Sequence, residues 1–253
     1  MRRLLLMTLI QTAGWCGCAV PYHLEQAPVP HRWETDPVTG RGYYIYVPTT
    51  YNHATPAPLI VSCHGTPPYD VPEHHIREWK ALSEKHGCIA VAPSLVATDG
   101  ILGDGPIVGM LTDERIILSL ISWLGYRYNL DRNNVMITGF SGGGFPAYWV
   151  GLRHPDVFTV IAARSCNFSE GNTDGWYPDE AKRTPIIIYY GQNDPGAITG
   201  QSRTAIAYFR ERGFDVETKI IPGLGHERKP EVAMDFFMRR RRPLRASMPD
   251  GRQ

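Results

Sequence analysis

The sequence has almost no excess charge of either sign. Its 26 lysine and arginine residues oppose 25 aspartate and glutamate residues, which leaves a formal net charge of +1. Such a balance argues against a binding surface for nucleic acid or for an acidic membrane, because both need a concentrated positive field. The apolar stretch at the N-terminus, Leu4 to Ile10, is short as well, and by itself it cannot span a bilayer.

Cysteine is scarce, with five residues in 253. Cys16 and Cys18 belong to the N-terminal leader, so Cys63, Cys88 and Cys166 remain, and their odd number leaves at least one thiol free. Cys63 should end one strand and Cys88 should begin the next, which places them at opposite edges of a parallel sheet. A disulfide between them is therefore not expected. We expect these cysteines to act as small buried hydrophobic residues.

The N-terminus carries an export pattern. Met1–Arg3 is basic, an apolar stretch follows, and Gly17-Cys18 resembles the end of a bacterial lipoprotein signal, in which the cysteine is lipidated. An ordinary cleaved signal peptide and an uncleaved anchor are the alternatives. We predict a signal over residues 1–18, membrane attachment through a lipid on Cys18, and a proline-rich linker over residues 19–30. The predicted location is the periplasm, the outer membrane or the cell exterior.

Residues 31–242 alternate predicted strands and helices after an opening hairpin. Aromatic and β-branched runs around the turn Asp36-Pro37-Val38-Thr39-Gly40 indicate the hairpin. Continuous apolar runs such as Leu59–Cys63 are typical of central strands that are buried on both faces. The order predicts an α/β fold with a doubly wound, mostly parallel sheet and an antiparallel N-terminal hairpin. The basic segment 243–253 is expected to be a flexible tail.

Two long loops, 94–111 and 165–183, follow predicted strands at the edge of the sheet where open α/β folds bind ligands. We expect both loops to shape a substrate cleft. The helix after the first loop is predicted to begin at Thr112, because Thr112-Asp113-Glu114 is typical of a helix N-terminus.

Acidic and histidine pairs raise the question of a metal ion. Asp99 and Asp104 carry oxygen ligands that suit calcium, but solvated turn residues are the better interpretation. His74 and His75 are adjacent on a predicted helix, so their side chains diverge. No metal and no other cofactor is therefore predicted.

The apolar run Val135–Thr138 leads into Gly139-Phe140-Ser141-Gly142-Gly143. A Gly-x-Ser-x-Gly pattern at a strand-to-helix turn is typical of a nucleophile elbow, in which a strained turn exposes the serine hydroxyl above the sheet. A glycine-rich turn without chemistry is the alternative. Asp194 follows a later predicted strand and His226 follows the last one, so all three residues should meet at one edge of the sheet.

A serine nucleophile needs a base that takes its proton and a carboxylate that orients the base. We therefore predict Ser141, Asp194 and His226 as a catalytic triad. Asp174 and Asp179 are rivals for the acid, and we interpret both as residues of the loop surface.

Together these features resemble the esterases of the α/β-hydrolase fold over residues 41–240. The matching features are Tyr44-Ile45-Tyr46-Val47-Pro48, His64-Gly65, Gly-Phe-Ser-Gly-Gly at 139–143, Gly-Gln-Asn-Asp at 191–194 and Gly-Leu-Gly-His at 223–226. The chain is most similar to the secreted feruloyl and acetyl-xylan esterases and the polyhydroxybutyrate depolymerases. It departs from them at Thr66-Pro67-Pro68 and in the loop 165–183, so the resemblance does not identify the acyl group of the substrate.

The resemblance implies hydrolysis of a carboxylic ester through an acyl-enzyme on Ser141, with a small-molecule, polysaccharide or polyester substrate. It implies an oxyanion hole formed by the backbone N–H groups of Thr66 and Gly142. We expect Phe140, Trp176 and Tyr177 to bind the substrate, because aromatic walls suit apolar acyl groups and sugar rings. A peptidase of the prolyl-oligopeptidase type and a non-catalytic binding protein on the same scaffold are the alternatives.

Overall fold

The computed structural model describes residues 29–100 and 107–243. The predictions for the signal over 1–18, for Cys18, for most of the linker and for the tail after residue 243 lie outside these ranges, and so does Asp104. Within the described ranges, no helix combines the length and the apolar character that crossing a bilayer requires.

The strands form one eight-stranded sheet. They are β1 (Val29–Thr35), β2 (Gly42–Val47), β3 (Ala57–Cys63), β4 (Ile89–Pro93), β5 (Leu130–Ser141), β6 (Val160–Cys166), β7 (Ile186–Gly191) and β8 (Val216–Ile221). Their order is β1-β2-β4-β3-β5-β6-β7-β8. β2 pairs antiparallel with β1 and with β4, and every other pair is parallel. The predicted mostly parallel sheet with an antiparallel start is confirmed. One boundary differs, because Val29 of the predicted linker already pairs with Val47.

Helices cover both faces of the sheet. They are α1 (Pro72–His86), α2 (Ile107–Arg127), α3 (Gly144–Arg153), α4 (Gly196–Glu211) and α5 (Pro230–Arg239). Side chains of α1 and α5 pack on one face, and those of α2, α3 and α4 pack on the other. Ile60 of β3 faces the first group while its neighbours Leu59 and Val61 face the second. A strand buried on both faces needs apolar residues at consecutive positions, which explains the continuous runs in the sequence.

Helix α2 begins five residues earlier than predicted, at Ile107 rather than Thr112. Thr112 is not a cap, because its hydroxyl donates to the Val108 carbonyl inside the helix at 2.8 Å. Asp113 is buried, and its carboxylate accepts the N–H groups of Val96 and Ala97 at 2.8 and 2.9 Å. The polar residues that suggested a helix start therefore bond back within the helix and hold the preceding loop.

The three cysteines of the domain, Cys63, Cys88 and Cys166, are free and buried. Burial raises the pKa of the Cys88 and Cys166 thiols to about 12. A thiol that stays protonated is a poor nucleophile and metal ligand. The prediction that they serve as small buried residues is confirmed.

Candidate active site

Ser141 sits on a strained turn at the end of β5. Its φ is 52°, in the left-handed region, which costs a non-glycine residue about 1–3 kcal/mol. The N–H of Gly143 donates to the Phe140 carbonyl at 2.8 Å and closes the turn. A Cβ at Gly139 would lie 2.2 Å from the Gly143 carbonyl oxygen, and one at Gly142 would lie 1.8 Å from that of Thr98. The backbone therefore admits only glycine at position 139, two residues before the serine, and at position 142, directly after it.

Asp194 follows β7 and His226 follows β8. The Nδ1 atom of His226 lies 2.7 Å from Oδ1 of Asp194. The other carboxylate oxygen, Oδ2, accepts the Gly191 N–H at 2.6 Å and the Ser165 hydroxyl at 2.7 Å. The Asp194 side chain is buried, so these bonds hold it in one orientation. Because Nδ1 is engaged with the carboxylate, Nε2 is the imidazole nitrogen that can exchange a proton with a further group.

One cavity of about 540 Å³ brings four of the predicted site residues together. Its wall consists of Thr66, Tyr69, Asp70, Phe140, Ser141, His226, Glu227 and Arg228. The Phe140 ring packs against the His226 imidazole, with 4.6 Å between ring centroids. A candidate nucleophile, a candidate base and a predicted oxyanion residue thus share a single space.

The segment that carries Thr66 passes directly beside the nucleophile, since a Cβ at Gly65 would lie 3.1 Å from Cβ of Ser141. The Thr66 hydroxyl donates to the Thr98 carbonyl at 3.1 Å and accepts the Gly100 N–H at 2.8 Å. Within the described ranges, neither the Thr66 nor the Gly142 backbone N–H has a hydrogen-bond acceptor. Unengaged N–H groups next to a candidate nucleophile suit the stabilisation of an oxyanion.

His64 supports the same segment from inside the protein. Its Nε2 accepts the Leu95 N–H at 3.0 Å, so Nδ1 carries the proton and donates to the Gly65 carbonyl at 2.7 Å. Burial lowers the pKa of His64 to about 4. The imidazole is therefore neutral at pH 7, and it fixes the backbone.

A polar network that the sequence did not predict forms another part of the wall. Oδ2 of Asp70 accepts the Gly65 N–H and the His75 Nε2–H, each at 2.7 Å, and Oδ1 accepts a hydrogen bond from Arg228. Burial alone would raise the pKa of Asp70, but the hydrogen bond and charge of His75, with the Gly65 and Arg228 bonds, hold it well below its usual range. Asp70 and Arg228 are 158 positions apart, so no local pattern could reveal their contact.

The structure places one of the three predicted substrate-binding residues in the cavity wall. Phe140 lies in the cavity, but Trp176 packs on Trp149 at 5.5 Å between ring centroids, and the Tyr177 hydroxyl lies 3.1 Å from that of Tyr208. Trp176 and Tyr177 do not line this cavity, because their loop runs along α3 toward its C-terminal end, so substrate binding by these two residues stays a prediction. Arg153, the last residue of α3, donates to the Trp176 carbonyl at 3.1 Å.

The rival acids lie at the surface. Asp174 accepts hydrogen bonds from the Tyr208 hydroxyl at 3.0 Å and from Arg212 at 3.3 Å. Asp179 is exposed and pairs with Lys182 at 2.8 Å. Of the three aspartates considered, Asp194 is the one bonded to His226.

Curated proteins match part of the chain. It is 28% identical over 114 residues to acyl-protein thioesterase 1 of Gibberella zeae, and 30% identical over 163 residues to the bifunctional acetylxylan esterase/xylanase XynS20E of Neocallimastix patriciarum. These matches cover 43% and 61% of this chain, and 48% and 22% of those proteins. The chain thus spans about half of their length or less. No protein-family model matches it.

Solved structures match over most of the chain. The CE1 ferulic acid esterase of Anaeromyces mucronatus superimposes with a TM-score of 0.62 at 16% identity, over 87% of this chain and 94% of that one. The chain has the α/β-hydrolase fold. S-formylglutathione hydrolase of Staphylococcus aureus is also similar, with a TM-score of 0.61 at 14% identity over 83% and 96% of the two chains. One α/β-hydrolase architecture thus occurs with differently named substrates, and the site must decide the chemistry.

Proposed function

We propose that this chain is a serine-dependent carboxylic-ester hydrolase. The proposal depends on the 2.7 Å contact between His226 and Asp194, beside a cavity whose wall includes Ser141 on the strained turn. A carboxylate bonded to Nδ1 selects the imidazole tautomer whose Nε2 can take a proton from serine. The acetylxylan esterase and the thioesterase among the relatives support the same reaction class.

Acylation starts when Ser141 Oγ adds to the ester carbonyl carbon while His226 Nε2 takes the hydroxyl proton. The carbonyl oxygen becomes an oxyanion, which the N–H groups of Thr66 and Gly142 stabilise; a donor of this kind is worth about 100- to 1,000-fold in rate. The intermediate then expels the alkoxy oxygen, which receives the proton from His226 and leaves as an alcohol. The acyl group stays on Ser141 as an ester.

Deacylation repeats these steps with water. His226 takes a proton from the water, whose oxygen adds to the acyl carbon and forms a second oxyanion in the same place. Collapse of that intermediate breaks the bond to Ser141 Oγ, which regains its proton from His226, and releases the carboxylic acid. Asp194 remains ionised throughout and stabilises the imidazolium that forms in each half of the cycle.

The proposed substrates are acyl esters of plant polysaccharides or polyesters, hydrolysed after export of the protein. The aromatic wall at Phe140, the export pattern over residues 1–18 and the acetylxylan esterase among the relatives support this choice. A panel of esters from acetyl to feruloyl, free and linked to xylan, identifies the acyl group. Incorporation of labelled palmitate that is lost in Cys18→Ala tests the lipid anchor, and equal incorporation in both proteins would contradict it.

The central test is Ser141→Ala on a p-nitrophenyl ester. We expect kcat/KM to fall by at least about 1,000-fold, because loss of the nucleophile leaves only binding and oxyanion stabilisation. Ser202→Ala is the matched control. Ser202 is buried in α4, its hydroxyl has no hydrogen-bond partner within the described ranges, and it should keep wild-type kinetics.

A fluorophosphonate probe separates this proposal from the alternatives. Labelling of wild type but not of Ser141→Ala supports a serine hydrolase, and absence of labelling would favour a binding protein on a hydrolase scaffold. A peptidase of the prolyl-oligopeptidase type would take the label but would prefer peptide amides to esters in parallel assays.

A further inference from the structure

We infer that Ser165, which occupies a bulge in β6, is a positioning residue for Asp194. The inference deepens the proposed hydrolase function and rests on it, because Ser165 acts on the acid of the same triad. It draws on the register of β6, the backbone conformation at Ser165 and the hydrogen bonds of the Asp194 carboxylate.

Ser165 is an extra residue in the pairing of β6 with β5. The register passes from Phe140 opposite Arg164 to Ser141 opposite Cys166, so Ser165 is skipped. Its φ is 47°, in the left-handed region that a serine rarely adopts. An extra residue with positive φ is the geometry of a β-bulge, a device that re-aims a side chain next to active sites.

The bulge changes the face to which the flanking side chains point. Arg164 lies toward α1, with its guanidinium 5.3 Å from the centre of the Trp79 ring, whereas Cys166 lies in the core on the opposite face. In an unbroken strand, residues two apart share a face. The Ser165 side chain therefore turns toward the loop after β7, where its hydroxyl donates to Oδ2 of Asp194 at 2.7 Å.

This hydrogen bond limits rotation of the Asp194 carboxylate. The same oxygen also accepts the backbone N–H of Gly191. Among the described residues, the side chains that bond to the carboxylate are those of His226 and Ser165. Ser165 is buried, with 1% of its surface exposed, so water cannot readily replace a lost hydroxyl. Without it, Oδ1 is held less firmly toward His226.

Residues beside the bulge also bond to the turn that carries Ser141. The N–H of Asn167 donates to the Ser141 carbonyl at 2.9 Å, and the Cys166 thiol donates to the Gly139 carbonyl at 3.1 Å. One strained segment thus contacts the acid through the Ser165 side chain and the elbow through the Asn167 backbone and the Cys166 thiol. Local strain that is kept beside reacting groups is expected where the geometry serves the reaction.

The first test compares Ser165→Ala and Ser165→Gly with wild type on a p-nitrophenyl ester. Both variants lose the hydroxyl, but glycine accepts a positive φ without strain. If the hydroxyl positions Asp194, kcat falls in both variants by about 10- to 100-fold, the loss expected when a buried charge loses one donor. KM should change little, because Ser165 does not line the cavity. Wild-type kcat in Ser165→Gly would overturn the inference.

The second test is a double-mutant cycle with Asp194→Asn. A residue that acts only through the Asp194 carboxylate adds little further loss once that carboxylate is replaced, so Ser165→Ala should cost less than about threefold in this background. Losses that multiply in full would mean that Ser165 acts elsewhere and would overturn the inference. Ser202→Ala serves again as the control for removal of a buried hydroxyl.

The two proposals fail in different ways. If wild type hydrolyses no ester and Ser141 takes no fluorophosphonate label, the proposed function is wrong and this inference is wrong with it. If wild type is active and Ser165→Ala keeps kcat within twofold, only the role of Ser165 is wrong. If Ser165→Ala does not fold, Ser165→Gly gives the answer because it tolerates the bulge.

Discussion

The turn that carries Ser141 packs closely against β3 because the neighbouring glycines have no Cβ atom. A Cβ at Gly143 would lie 2.2 Å from the Cys63 carbonyl oxygen and 2.6 Å from that of His64. Backbone atoms at such distances cannot move aside as a flexible side chain can. The elbow can therefore approach the end of β3 this closely only because residue 143 has no Cβ atom.

We predict that Gly143→Ala destabilises the protein by about 3 kcal/mol or more, because the added methyl forces β3 and the elbow apart. The free energy of unfolding in urea measures this. Gly200→Ala is the matched control, since nothing lies within 4 Å of a Cβ there and the residue is inside α4. It should be neutral or stabilising by up to about 1 kcal/mol. Equal stability of the two variants would contradict the steric argument.

At the level of elements, the partly buried carboxylate of Glu114 joins α2 to α3. Oε2 of Glu114 accepts the Trp149 indole N–H at 2.6 Å and Arg153 Nε at 2.9 Å, and Oε1 lies 2.8 Å from His154 Nε2. All three partners belong to the half of α3 away from Ser141 or follow its end. This junction therefore serves the packing of α3 and not the reaction.

We predict that Glu114→Ala lowers the free energy of unfolding by about 2–4 kcal/mol, because it leaves the Trp149 indole N–H and the Nε–H of Arg153 without their shared acceptor. At temperatures where the variant is folded, kcat should equal that of wild type. Asp179→Ala removes an exposed ion pair and should leave stability unchanged. Thermal unfolding and ester kinetics on the same samples check both statements; a large loss of kcat in folded Glu114→Ala would contradict them.

For the whole molecule, two buried groups give opposite responses to acid. Burial lowers the pKa of His64 to about 4, from 6.5, so its contribution to stability is full above pH 6.5 and is lost as the pH falls toward 4. Burial raises the pKa of Asp113 to about 6, from 3.8, so its ionised form costs stability above pH 6 and that cost disappears as the pH falls. Between pH 6 and pH 4 the two effects largely cancel.

We predict that removal of either group reveals the pH dependence of stability that the other group causes. His64→Gln should lose about 2–3 kcal/mol less than wild type between pH 7 and pH 4.5, and Asp113→Asn should lose about 2 kcal/mol more. Urea unfolding at both pH values measures each difference against wild type, so groups common to the proteins drop out. Parallel pH profiles for wild type and both variants would show that neither residue is coupled to folding.

The order of strands and helices, the doubly wound sheet and the position of the elbow could be predicted from the sequence. These features have local causes: apolar runs that need burial on both faces, and a serine flanked by glycines after such a run. The roles of Ser141, Asp194 and His226 stay predictions, which the geometry now makes specific. The start of α2 was predicted wrongly because Thr112 and Asp113 resemble a helix cap. In the structure the Thr112 hydroxyl bonds to the Val108 carbonyl inside the helix, and the Asp113 carboxylate accepts the Val96 N–H of the preceding loop.

Which side chains share the cavity depends on the tertiary structure. Trp176 and Tyr177 are aromatic and sit in a loop after a strand, yet the path of that loop along α3 takes them elsewhere. Arg228 reaches Asp70 across 158 positions, and Ser165 reaches Asp194 across 29. Such contacts depend on the pairing register of the strands and on a single bulge. These are properties of several segments together, and no one segment encodes them.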